Sequence, residues 1–169
     1  MLNYLHSQQR SSTCAVAAIR TVLHWQFGVR VSESALVALG TNIQSPIIAH
    51  GSDTHDMRRM VREASNRFNT SDPWTLRVRK HGTVRQLAYW VRNGRWPIVQ
   101  VYVKESAEHH AIVTLDVDRE RVCYFDPDPS SGKTEKWMPK DRFLEWWVSP
   151  VNGERWWSVI NGGALVERP

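Results

Sequence analysis

The chain has 169 residues, 41% hydrophobic and 23% charged, the composition of an ordinary globular protein, and predicts a single domain over residues 1–169 with a sizeable core. Lys and Arg number 22 against 17 Asp and Glu, giving a net charge of +5; the surplus is scattered, and with no zinc-finger spacing or RNA-binding aromatic motif beside it, it argues against a nucleic-acid partner. Two cysteines, Cys14 and Cys123, are too few for a disulfide framework and fit a reducing compartment, and the chain shows neither a signal peptide nor an apolar run long enough to span a membrane.

Helical periodicity dominates the first half. Val16, Ile19, Val22, Leu23 and Phe27 recur at helical spacing over 14–27, with Ser12 or Thr13 as the start and Gly28 as the stop. A short helix is expected over 33–39 between Ser32 as cap and Gly40 as stop, followed by a loop over 41–51. A third helix follows Ser52 or Asp53, with Met57, Met60, Val61 and Ala64 on one face and a basic face opposite. After a turn at 70–73, Trp74, Leu76 and Val78 alternate with Thr75, Arg77 and Arg79 as in a strand. Thr83 caps a fourth helix through Val91, and Asn93-Gly94 closes it.

Strands dominate the second half. Segments 97–103 and 111–117 read as strands, and Arg119-Glu120 turns the second into a hairpin partner over 121–125. Asp126-Pro127-Asp128-Pro129 ends that strand, since proline cannot continue a ladder. A short strand over 136–138, a helix over 139–147 and a last strand over 154–160 complete the chain. Helices first and antiparallel strands second predict an α+β fold, a helical half packed against a twisted or barrel-like sheet. Most of the nine tryptophans are expected in the core or along a groove wall.

Cys14 stands where a polar loop becomes an apolar helix, and the free N–H groups and dipole of a helix N-terminus favour a thiolate. Gln8, six positions earlier, can reach back with its amide to join the Cys14 N–H around an oxyanion. His110, just ahead of the apolar strand, is the expected base, preferred to His109 because it leads directly into that strand. Asp126 closes the partner strand near the same open end, where a carboxylate can fix the imidazole tautomer, with Asp128 as its competitor. Cys123, mid-strand, reads as a buried structural thiol, and His24 as packing or surface. No metal or cofactor is expected: the spacing of His50, Asp53, His55 and Asp56 matches no standard site and is explained by helix capping. Gly162-Gly163 reads as a turn.

Gln8, then Cys14 opening an apolar helix, then His110-Ala-Ile-Val and Phe125-Asp126-Pro127 together resemble the papain-like cysteine peptidases, closest to the bacteriocin-leader (double-glycine) peptidases and their stand-alone relatives. The resemblance spans residues 8–147. It implies a papain-like fold and a thiol protease in which Cys14 is the nucleophile, His110 the base and then the acid, Asp126 the orienting carboxylate and Gln8 the oxyanion donor. One departure is Thr13-Cys14-Ala15 where the family usually has Asp-Cys-Gly. The implied partner is a protein or peptide substrate. The setting expected is a bacterial toxin or effector protease, cytoplasmic where made, delivered by a secretion system and restrained by an immunity or inhibitor protein. The alternatives are a leader-processing peptidase, a transglutaminase- or deamidase-type acyl transferase on the same residues, and a binding module that has lost activity.

Overall fold

The computed structural model describes residues 4–41, 47, 51–68 and 71–165. Helix α1 (Cys14–Phe27) is buried on nearly every side, from Ala15 to Gln26, which is the position of a helix apolar around most of its circumference. It ends where Gly28 takes a left-handed φ of 68°, so that its N–H and that of Val29 satisfy the last carbonyls. Helix α2 (Glu33–Gly40) starts at Ser32, whose hydroxyl accepts from Ala35 N–H at 3.1 Å. Gly40 does not stop the helix as the sequence suggests but belongs to its last turn. Its missing side chain matters instead for packing, because an added Cβ would overlap Met60 on helix α3 (Thr54–Phe68). Asp53 caps α3 by accepting from the N–H groups of His55 at 2.7 Å and Asp56 at 2.8 Å, while the Asp56 carboxylate returns to Asp53 N–H. The predicted faces of α3 are present: Met57, Met60, Val61 and Ala64 turn inward and Arg58, Arg62 and Arg67 are exposed. The predicted loop over 41–51, His50 included, and Thr70 of the predicted turn lie largely outside the described residues.

The remaining strands and helices are β1 (Thr75–Arg79), α4 (Val84–Arg92), β2 (Ile98–Val103), β3 (Glu108–Val117), β4 (Arg121–Phe125), β5 (Glu135–Pro139), α5 (Lys140–Trp146) and β6 (Trp157–Asn161). They form an open six-stranded antiparallel sheet of order β1-β6-β2-β3-β4-β5, with β1 and β5 at its edges. The last strand therefore inserts between the first two, pairing with β1 from Thr75↔Asn161 to Arg79↔Trp157. Its buried run from Trp157 to Ile160 suits a strand covered on both faces. The turn at Gly162-Gly163 follows, and Gly162, with φ 82°, passes so near the Pro73 carbonyl that a Cβ there would overlap it. Thr83 and Gln86 form a reciprocal capping box at the start of α4, as the sequence predicts for Thr83.

Both faces of the sheet are covered, so the fold has two cores. On one face Ile98, Val113, Leu115, Phe125 and Ile160 meet Val16, Ile19 and Leu23 of α1, with α2 and α3 beyond. On the other, Val99, Val101, Ile112, Val122 and Val159 meet Leu87 of α4, Phe143 of α5 and Trp147. The tryptophans divide accordingly. Trp74, Trp96, Trp147 and Trp157 are buried, Trp137 is exposed beneath the Arg121 guanidinium, and Trp156 lies along a cleft described below. The α+β class expected from the sequence is present, with helices first and the antiparallel sheet largely after them.

Candidate active site

The loop before α1 is held from beneath. Glu33 is 2% exposed, and its carboxylate accepts Gln9 N–H at 2.9 Å and the Thr13 hydroxyl at 2.7 Å, with the Arg20 guanidinium 3.7 Å away. Thr13 sits at the N-cap position but does not cap: its hydroxyl turns back into the loop, toward Glu33 and the Arg10 N–H, and makes no bond to the helix. The Thr13 hydroxyl therefore caps none of the first-turn N–H groups of α1, the turn that Cys14 opens.

Cys14 and His110 line the same cleft, where the His110 imidazole and the backbone of Ala111 and Ala15 favour the thiolate. His110 does not precede its strand as the sequence suggests. Strand β3 begins at Glu108, because Val103 and Tyr102 of β2 already pair with Glu108 and His109, and His110 stands within the ladder opposite Val101. Its Nε2 lies 2.6 Å from Asp126 Oδ1, which leaves Nδ1 as the ring nitrogen for Cys14. Asp126 follows the last residue of β4. Its Oδ1 also accepts Asp128 N–H at 2.9 Å, and its Oδ2 accepts the Ser131 hydroxyl at 2.8 Å. The rival Asp128 is used differently. It caps the single 3₁₀ turn Pro129–Ser131 through Ser130 N–H and so presents Ser131 to Asp126.

These contacts set the charges. Burial pushes the Cys14 thiol up, but the hydrogen bond and charge of His110 and the two backbone bonds outweigh it and hold the thiol below its ordinary value of 9.0. Burial would lower His110, but hydrogen bonds to Asp126 and Cys14 and the negative charge of both push it up to about 10. Asp126, which burial would raise, is held below the usual carboxylate range by His110, Asp128 N–H and Ser131. The arrangement favours a thiolate facing an imidazolium. Cys123 is its opposite: it is 1% exposed, and burial with Glu135 and Asp116 nearby pushes its thiol up to about 12. His109 is exposed and packs edge-on against Tyr102.

Gln8 is anchored to the same region from the other side. It is 8% exposed, and its N–H donates to Pro127 O at 2.8 Å, tying the nucleophile loop to the segment that carries Asp126. Its amide Nε2 donates to Ser11 O at 3.2 Å, and its Oε1 is buried with no partner among the described residues. A cleft of about 250 Å³ opens beside Cys14 and His110, walled by Ala15, Ser52, Met57, Val78, Ile98 and Gln100 among others. His24, which the sequence leaves as packing or surface, is buried and bonded to His6 and Arg30. No cluster of His, Cys, Asp or Glu suited to a metal is found among the described residues. Nor, among those residues, is any helix long and apolar enough to cross a membrane.

Sequence reasoning did not single out Ser131, Glu33 or the cleft walls. Ser131 and Glu33 act through distant partners, and the walls come from separate segments joined only by the fold. Ser131→Ala is expected to remove a charge-assisted bond to Asp126, about 1.5 kcal/mol or roughly tenfold in kcat/KM. It also raises the Asp126 pKa, so the loss should deepen as the medium is acidified. A pH series on the purified variant checks this.

A cysteine at the mouth of a central helix, facing a histidine and an aspartate carried by an antiparallel sheet, is the papain-like arrangement, and the chain has the fold of C39 peptidase domains. The peptidase domain of ComA from Streptococcus, a bi-functional ABC transporter of a quorum-sensing pathway, superimposes with a TM-score of 0.62 at 19% identity, over 95% of this chain and 97% of that one. A candidate C39-like peptidase from Bacillus anthracis gives a TM-score of 0.66 at 14% identity, over 99% and 96%. The peptidase domain of ComA from Streptococcus mutans gives 0.52 at 16%, over 95% and 98%. No family model and no curated sequence matches the chain.

Proposed function

We propose that the protein is a cysteine peptidase that hydrolyses a peptide bond in a protein or peptide. The observation that carries this reading is the placement of the Cys14 thiol and the His110 imidazole in one cleft, with Asp126 Oδ1 2.6 Å from the imidazole Nε2. A lone buried cysteine has no need of a charged imidazole, and a structural His–Asp pair has no need of a thiol with a lowered pKa. The C39-type fold, whose neighbours are named as peptidase domains, supports the same reading.

In this mechanism Cys14 Sγ attacks the scissile carbonyl carbon and a C–S bond forms. The carbonyl electrons move to oxygen, where the Cys14 N–H and the second N–H of the Gln8 amide receive the charge. His110 delivers its proton to the amide nitrogen as the C–N bond breaks and the amine departs. It then takes a proton from water as the water attacks the thioester, and the C–S bond breaks to regenerate the thiolate. Asp126 holds the imidazole in one orientation and stabilises its positive form.

Gln8→Ala is expected to lower kcat by about two to three orders of magnitude with little change in KM, the mark of a donor used mainly in the transition state. Steady-state kinetics on one peptide checks the split; an equal rise in KM with kcat unchanged would assign Gln8 to binding instead.

The reading extends to the biological setting. Arg58, Arg62, Arg67, Arg77 and Arg79 are all exposed on α3 and β1, a basic surface suited to an acidic protein, and this favours an effector acting on a target protein and restrained by an acidic inhibitor. Capture by inactive Cys14→Ala, compared with proteins cleaved by the active enzyme, tests it: an acidic partner is expected, and recovery of only small secreted precursors would favour the processing role.

A further inference from the structure

The cleft beside Cys14 carries information about the substrate. It lies between the two halves of the molecule. Ala15 comes from α1, Ser52 and Met57 from the start of α3, Val78 from the edge strand β1, and Ile98 and Ala111 from the centre of the sheet. The segment before α3 is seated directly against the nucleophile loop, since Gly51 approaches the Ser12 carbonyl closely enough that a Cβ would be in van der Waals contact with it.

The deep lining is apolar apart from Ser158. Ala15, Met57, Ile98 and Ala111 are each under 9% exposed and turn hydrocarbon toward the opening. No lysine or arginine lines the space. Its acid, Asp53, has Oδ1 committed to the His55 and Asp56 N–H groups as a helix cap. The imidazolium at the opening, His110, is already paired with Asp126 and Cys14, so a substrate carboxylate would meet the Cys14 thiolate and Asp53, and an ammonium carried past the exposed Asp53 to the inner walls would be desolvated among alanine, methionine and isoleucine side chains. Two atoms of wall residues, Ser52 Oγ and Trp157 Nε1, are buried and have no partner among the described residues. A hydroxyl in that state, in the wall of a cleft that opens on a reactive thiol, is suited to bonding the backbone of a peptide lying there.

We infer that this cleft selects an uncharged, bulky apolar side chain, of the size of leucine, methionine or phenylalanine, in the substrate residue that lies beside the scissile bond, with Met57 setting the size accepted and Ser52 holding the adjacent backbone. The inference rests on the peptidase reading and adds the substrate's chemistry to it. A glycine in this position would leave about 250 Å³ of apolar-walled space to water, whereas a branched or aromatic side chain would displace that water. Methionine adapts its shape readily, so Met57 admits several apolar side chains while excluding none by charge.

The test uses the full chain and a peptide library randomised one position at a time on both sides of a cleaved bond, with products read by mass spectrometry against a Cys14→Ala blank. The expected result is one position flanking the cleaved bond at which leucine, methionine or phenylalanine exceeds glycine, lysine and glutamate by about ten- to hundredfold in kcat/KM. Met57→Trp, which fills the cleft, should collapse that ratio in favour of alanine and glycine on the same peptides. Cleavage with no side-chain preference at any position, or with glycine or a charged residue preferred, overturns the inference and leaves the peptidase reading standing. Absence of cleavage above the blank overturns both.

Discussion

Replacing Cys14 by alanine is expected to reduce turnover to background, a loss of about six orders of magnitude if the residue is the covalent nucleophile. The size follows from the chemistry. Without Sγ no thioester forms, and the remaining groups can only orient a substrate and stabilise an oxyanion that water alone must generate. The fold should survive, since Cys14 is half-buried at the start of α1 and packs only against the margin of a core to which Ala15, Val16 and Ile19 contribute buried side chains. The His110–Asp126 hydrogen bond is independent of the thiol and should persist. His110, however, loses the hydrogen bond and negative charge that Cys14 supplies, so its pKa should fall while Asp126 keeps part of the elevation. Imidazole titration by NMR reads that fall separately from activity. Cys123→Ala is the matched control: that thiol is sealed in the sheet with its pKa raised, so the substitution leaves the chemistry intact.

His110→Ala is expected to have the next largest effect, about two to four orders of magnitude in kcat from the loss of proton transfer alone. A second loss accompanies it. With the imidazole gone, burial becomes the main influence on Cys14 and pushes the thiol up, so the thiolate fraction at neutral pH falls. Alkylation of Cys14 by iodoacetamide should slow in step, whereas alkylation of Cys123, already slow, should not change. The intact protein should show a bell-shaped dependence of kcat/KM on pH. Its rising limb belongs to Cys14 losing a proton below the ordinary thiol value of 9.0, and its falling limb to His110 losing a proton toward about 10. The productive thiolate–imidazolium form exists between the two. In His110→Ala the rising limb should move to higher pH and the falling limb should vanish.

Local pattern accounts for what could be read in advance. The helical period of α1 and the Gly28 stop are properties of adjacent residues, and so are the Thr83 cap and the Asp-Pro end of β4. Hairpin logic brings the end of β4 to the same region as His110, because a turn at 118–120 pairs β3 with β4 and fixes which ends meet. Long-range pairing is where local pattern fails. Nothing near Trp157 reveals that its strand will lie between β1 and β2, since those partners are some eighty and sixty residues away. The same limit explains the misplaced start of β3: Glu108 and His109 are polar and look like loop, and only their pairing with Val103 and Tyr102 makes them strand. Thr13 has the side chain of a cap, but a buried carboxylate on another helix draws its hydroxyl away. Ala15, set against the usual glycine of the resembled family, proves to be a wall residue of the cleft, where its methyl group adds apolar surface beside the thiol.

The central claim is hydrolysis through a Cys14 thioester, and it is tested most directly by running the reaction in heavy-oxygen water on a protein or peptide substrate, with rapid acid quenching and mass spectrometry of products and enzyme. The account predicts new carboxyl termini carrying the heavy label, an acyl adduct on Cys14 in the quenched enzyme, and neither in Cys14→Ala. Labelled termini produced equally by Cys14→Ala would contradict it, as would side-chain deamidation or crosslinking with no new terminus.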